Sequence, residues 1–162
     1  MNIRHAKMDD VKELARIEGI SYPAAEGASE ESIGKRVQAF PEHFWLLEED
    51  GKIRSFINGM VTNVRDLTDV MYDDAGLHDE NGAWQMIFSV VTDPDSRGRG
   101  CAGRVMEQVI ADAKEQGRHG IVLTCKEHLL PFYSRFGFMN EGKSQSEHGG
   151  VTWYQMRLTF RK

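Results

Sequence analysis

Seven residues, Arg97-Gly98-Arg99-Gly100-Cys101-Ala102-Gly103, combine two cations with three glycines, and Arg104 extends the basic stretch with no acid inside it. Between a strand and a helix, such a turn offers unpaired backbone N–H groups and the positive helix end to one anion, with phosphate the best fit. Gly98 and Gly100 let the main chain approach a ligand, while small Ala102 and Gly103 leave the helix start unshielded. Two phosphate ligands fit. Gly98, Gly100 and Gly103 satisfy the spacing G-x-G-x-x-G of a dinucleotide site, yet only 59 residues, 104 to 162, follow. That is short for the further βα units of a dinucleotide fold. A P-loop is excluded, because no Gly-Lys-Ser/Thr follows at the required distance.

The remaining chemistry-bearing residues divide by sign. Residues 66 to 80 hold Asp66, Asp69, Asp73, Asp74, Asp79 and Glu80 with no Lys or Arg. Such a run raises the local concentration of a cationic ligand or simply solvates a loop. The 20 Lys and Arg against 25 Asp and Glu give a net charge of -5, which argues against a general nucleic-acid binder. Cys101 and Cys125 form no C-x-x-C pair and have no histidine at ligand spacing, so no metal site is expected. Cys125 as an acyl-accepting nucleophile lacks a readable histidine partner.

The elements that must position these residues follow from periodicity. The 162 residues suit one domain, 1–162. Residues 3 to 6 read as a strand and 8 to 20 as a helix, with Val11, Leu14, Ala15 and Ile17 on one face. Ser29-Glu30-Glu31-Ser32 caps a second helix that Pro41 stops. Residues 44 to 47 and 53 to 62 form a hairpin across Asp50-Gly51, a type I′ signal. Residues 83 to 92 read as a strand ahead of the glycine turn, and Val105, Val109, Ile110 and Ala113 as the apolar stripe of the helix after it. A strand at 121 to 125, a short helix at 128 to 136 and strands at 138 to 141 and 151 to 160 complete the chain. The polar loop between those last two is expected to be an ordinary connection. The order predicts an α/β fold with a mixed sheet and helices on both faces.

Val90-Val91-Thr92-Asp93-Pro94 followed by Arg97 to Ala102 resembles the acetyl-CoA motif of the GNAT N-acetyltransferases, R/Q-x-x-G-x-G/A behind its strand. Leu130-Pro131-Phe132-Tyr133-Ser134-Arg135-Phe136-Gly137-Phe138 resembles the second signature of that family, a tyrosine-bearing helix ahead of a Gly-Phe turn. Leu123-Thr124-Cys125-Lys126-Glu127 and Phe40-Pro41-Glu42 are most similar to the arylalkylamine branch.

The resemblance implies the acyl-CoA N-acyltransferase fold, with acetyl-CoA as cosubstrate and a small primary amine as acceptor, an arylalkylamine or polyamine among the choices. The pantetheine arm would lie as a false strand against Val90, Val91 and Thr92, and the diphosphate on the amides of 98 to 103. A backbone N–H near residues 88 to 90 would stabilise the oxyanion. Tyr133 would protonate the departing thiolate, as a phenol with a reference pKa of about 10 can. Arylalkylamine members with two histidines on the strand before the glycine turn would carry them at Met86 and Phe88, neither of which accepts a proton. Glu26 is the first candidate for the base and His78 the second. A non-catalytic acyl-CoA sensor and a dinucleotide-binding protein stay open beside the enzyme. Neither a nucleic-acid nor a membrane partner is expected, a homodimer is allowed for, and the absence of an apolar leader points to the cytoplasm.

Overall fold

Asp50 and Gly51 both adopt positive φ (53° and 74°), the geometry of the type I′ turn, and join strands β2 (Phe44–Glu49) and β3 (Lys52–Asn58). The computed structural model that contains this hairpin describes residues 1–23, 26–146 and 148–160. Before the hairpin come β1 (Asn2–Arg4), α1 (Val11–Ser21) and α2 (Glu30–Ala39). After it come β4 (Val61–Thr62), α3 (Asp69–Asp73), β5 (Trp84–Ile87), β6 (Ser89–Thr92) and α4 (Cys101–Glu115). The chain closes with β7 (Gly120–Cys125), α5 (Leu130–Ser134), β8 (Met139–Lys143) and β9 (Tyr154–Thr159).

The chain clusters into two compact units. The first comprises residues 1–59 and 89–109 and holds an antiparallel sheet ordered β1-β2-β3-β6. Phe44, Trp45, Leu46 and Leu47 are all buried, so β2 presents apolar side chains to both faces. Each contributes roughly 1.5–3 kcal/mol by leaving water. Helix α1 buries Val11, Leu14 and Ile17, and α2 begins where the Ser29 hydroxyl accepts the Ser32 amide at 3.1 Å, the expected cap.

The second unit comprises residues 60–88 and 110–162 and holds a mixed sheet ordered β4-β5-β7-β9-β8. Only β5 and β7 run parallel there. In this unit Arg157, buried, stacks on Trp84 at 4.6 Å and donates to Asp66, Glu141 and the Arg65 carbonyl.

Two expected strands are each divided. The run 83–92 breaks at Phe88: Trp84–Ile87 pairs with β7, whereas Ser89–Thr92 pairs with β3. The run 53–62 breaks at Gly59, whose amide bonds to the His43 carbonyl, while the next carbonyl, Met60, accepts the Met86 amide at 2.8 Å. At both breaks the chain leaves one sheet for the other, so the expected central sheet is two sheets. The acidic segment contains the unexpected helix α3 and is fastened at several points. Asp69 accepts the Ser146 hydroxyl at 2.6 Å, the Tyr72 hydroxyl meets Thr124 Oγ1 at 3.3 Å, and Arg118 donates to the Glu80 and Gly82 carbonyls.

Candidate active site

The glycine turn is built as its composition demands. Asp93 caps the 3₁₀ turn Pro94–Ser96 by accepting the Asp95 amide at 3.0 Å, and the chain then runs through exposed Arg97, Gly98, Arg99 and Gly100. Gly98 (φ 79°) and Gly100 (φ 74°) occupy the left-handed region, and a Cβ on either would meet nothing within 4 Å. Glycine is needed there for the backbone angle, and the space beside both is open. Arg104 N–H to the Gly100 carbonyl (3.2 Å) starts the helical bonding of α4, so the amides ahead of it point out of the helix end. Ala102 and Gly103 are half-buried, and the Cys101 thiol is buried against the Ser96 carbonyl at 3.7 Å. Residues 98–103 can therefore offer main-chain amides to an anion, with the Cys101 sulfur turned away.

The strand leading to this turn is the last of its sheet. Val90, Val91 and Thr92 pair with Ile57, Phe56 and Ser55 of β3 alone, so among the described residues the other edge of β6 carries no strand. An extended ligand can add at such an edge. A buried polar thread that sequence reasoning missed fixes its first residue: Arg36 donates to Asn58 Oδ1 at 3.2 Å, and Asn58 Nδ2 donates to Ser89 Oγ at 2.6 Å. Three separate segments supply that thread, which is why no local spacing announces it.

Glu26 lies in the same unit, half-buried in the turn between α1 and α2, with its amide on the Pro23 carbonyl at 2.8 Å. Side-chain bonds fasten the described residues of this turn. The Tyr22 hydroxyl donates to the Val90 carbonyl of β6 at 3.3 Å, and Glu18 Oε2 accepts the Ala28 amide at 2.9 Å. The first bond brings the Glu26 turn beside the strand expected to receive pantetheine.

His78 and Tyr133 belong to the second unit. Val61 N–H donates to His78 Nδ1 at 3.0 Å, so Nδ1 is the acceptor and Nε2 carries the proton toward Glu80 Oε1 at 2.9 Å. These bonds tie His78 into the acidic segment. Tyr133 is 5% exposed on α5, edge-on to Phe132 (5.0 Å) and Phe138 (6.0 Å). Its carbonyl accepts the Phe136 amide at 3.0 Å, closing the turn that leads to Gly137. Met86 is fully buried, while Phe88 packs against Tyr72 with centroids 4.7 Å apart and the rings tilted by 36°. Burial pushes the Cys125 thiol up to about 11, which removes it as a nucleophile near neutral pH.

Residues 15–160 match the family model described as "Acetyltransferase (GNAT) domain". A stretch of 56 residues, 35% of this chain, is 38% identical to the "Probable glucosamine 6-phosphate N-acetyltransferase 2" of Oryza sativa subsp. japonica and covers 34% of it. The match spans about a third of the length of that curated relative. Among solved structures, the loading GNATL domain of CurA from Lyngbya majuscula superposes with a TM-score of 0.84 at 16% identity, over 98% of this chain and 96% of that one. The GphF GNAT-like decarboxylase in complex with isobutyryl-CoA gives 0.79 at 20% identity, over 99% and 100%. No described helix is long and apolar enough to cross a membrane.

Proposed function

Because this chain belongs to the acetyltransferase (GNAT) domain family, we propose that it transfers acetyl from acetyl-CoA directly to a small primary amine. One observation carries the reading: β6, open along one edge, runs through a positive-φ glycine turn into the outward-facing amides of α4. A ligand with an extended amide-bearing arm and a diphosphate matches that sequence of main-chain groups. Val90, Val91 and Thr92 would hold the arm, and the amides of 98–103 the diphosphate, with the Arg97 side chain adding charge.

Glu26 would take a proton from the bound ammonium, since a protonated amine cannot attack. The freed nitrogen adds to the thioester carbonyl; the C–N bond forms, the C–S bond breaks, and the nitrogen gives up its second proton, which returns through solvent to the Tyr133 oxygen. The Tyr133 hydroxyl supplies the proton that the leaving thiolate accepts. Holding both reactants in one site removes most of the entropy cost of their encounter, so no acetyl-enzyme is needed.

The acceptor is an aromatic amine of the arylalkylamine kind in this reading. The Tyr72–Phe88 pair, immediately before β6, gives an aromatic surface, and the acids of residues 66–80 favour a cation. The same acids disfavour a sugar phosphate, whose dianion they repel. The test is coenzyme A thiol release from acetyl-CoA with phenylethylamines, polyamines, glucosamine 6-phosphate and N-terminal peptides. The expected result is amine-dependent release, fastest with aromatic amines. Binding of acetyl-CoA without turnover on any amine favours the sensing module instead, and preference for NAD(P) over coenzyme A favours the dinucleotide reading.

A further inference from the structure

Of the three arginines at 97–104, only Arg99 has a carboxylate partner among the described residues. Its Nη2 donates to both oxygens of Glu49, at 3.1 and 3.0 Å. Arg104 instead donates to the Met1 sulfur at 3.1 Å, a neutral partner. Glu49 ends β2, at the mouth of the Asp50-Gly51 hairpin, so fifty residues of chain separate the pair.

Glu49 also has a second cation. Arg54 Nε lies 3.4 Å from its Oε1, and the Arg54 carbonyl accepts the amide of Asp93, the residue that follows β6. Asp93 in turn pairs with Arg16 of α1 at 3.1 Å. Charges of alternating sign thus run from the glycine turn past the hairpin to α1. The Arg99 side chain is 42% exposed and that of Glu49 23%, so both ends of the pair are reached by solvent. Hydrogen bonding to Arg99 holds the Glu49 carboxyl below the usual carboxylate range. The carboxylate is therefore a standing competitor for the guanidinium at neutral pH.

We propose that Glu49 is an exchangeable counter-ion for Arg99, which it yields to a phosphate of the coenzyme and recaptures as the spent coenzyme leaves. A guanidinium fork serves carboxylate and phosphate through the same N–H groups, so the two compete. An exposed ion pair is weak, which makes the exchange cheap. Glu49 keeps Arg54 throughout, so no carboxylate is stranded when Arg99 leaves. The exchange lowers coenzyme affinity and speeds product release. It rests on the coenzyme reading given above.

Calorimetric titration of coenzyme A into the wild-type protein, Glu49→Gln, Arg99→Gln and the double variant tests it, with thermal melts to show that all four fold. Glu49→Gln is expected to bind about three- to tenfold more tightly and Arg99→Gln about three- to tenfold more weakly, with the double variant matching Arg99→Gln. A carboxylate that merely orients Arg99 gives the opposite sign for Glu49→Gln. Wild-type binding with Glu49→Gln unchanged or weaker, or a gain that persists without Arg99, overturns this proposal alone. No heat from any of the four overturns the coenzyme reading and this proposal together.

Discussion

The Tyr133 hydroxyl can be removed without emptying the space its ring fills between Phe132 and Phe138. Tyr133→Phe is therefore expected to stay folded and to leave the KM for acetyl-CoA unchanged while kcat falls about 10²-fold, the usual scale of a lost proton donor. Steady-state kinetics beside a thermal melt makes the check; equal loss of kcat and coenzyme binding sinks the acid assignment. Residues of this kind differ in how far the sequence exposes them. Gly98 and Gly100 are legible because the backbone angle itself calls for glycine, while the proposal for Tyr133 comes from a local signature. For His78, nothing near it in sequence reveals that Val61 N–H donates to its Nδ1. Glu49 is silent for the related reason that its partner lies fifty positions away.

Among the elements, the join between β1 and α1 carries a charged clamp. Arg4 donates from both Nη atoms to Asp10 at 2.9 Å, and Asp10 accepts the Lys7 amide at 2.8 Å. Hydrogen bonding to Arg4 holds the Asp10 carboxyl below its ordinary value of 3.8. Folding thus favours the anion, so the stabilisation is present above about pH 4 and fades as pH falls through the lower folded value. Asp10→Asn is expected to cost about 1–2 kcal/mol at pH 7, with the gap to wild type closing on acidification; urea melts at pH 7 and pH 3 measure it. A gap of equal size at both pH values refutes the charge argument. Helices α1, α2 and α4 and the hairpin are readable because their periodicity and turn chemistry are local. The breaks at Gly59 and Phe88 are not, because apolar residues continue through both and only the choice of pairing partner changes. Helix α3 escapes for another reason. Asp and Val are indifferent helix formers, and bonds from Ser146 and Thr124 hold a segment that propensity leaves open.

Across the whole molecule, the net charge of -5 hides a separation in sequence between six acids at residues 66–80 and three arginines at 97–104. If the acids draw a cationic acceptor, their effect is long-range and must be screened as the Debye length shrinks from about 10 Å at 0.1 M salt to 3 Å at 1 M. Asp73 and Asp74 are exposed, and the Asp74 carboxylate accepts the Gly76 amide, a bond that asparagine can also make. The double change Asp73→Asn with Asp74→Asn therefore removes charge with little structural cost. At low salt it is expected to raise the KM for a cationic amine about two- to threefold, in keeping with modest surface electrostatics, and to leave the KM for acetyl-CoA unmoved. Near 1 M salt the variant and wild type should coincide. A shift that survives high salt, or that appears equally with acetyl-CoA, assigns these acids to the fold rather than to the acceptor, and the aromatic pair Tyr72–Phe88 is then left as the sole feature selecting the amine.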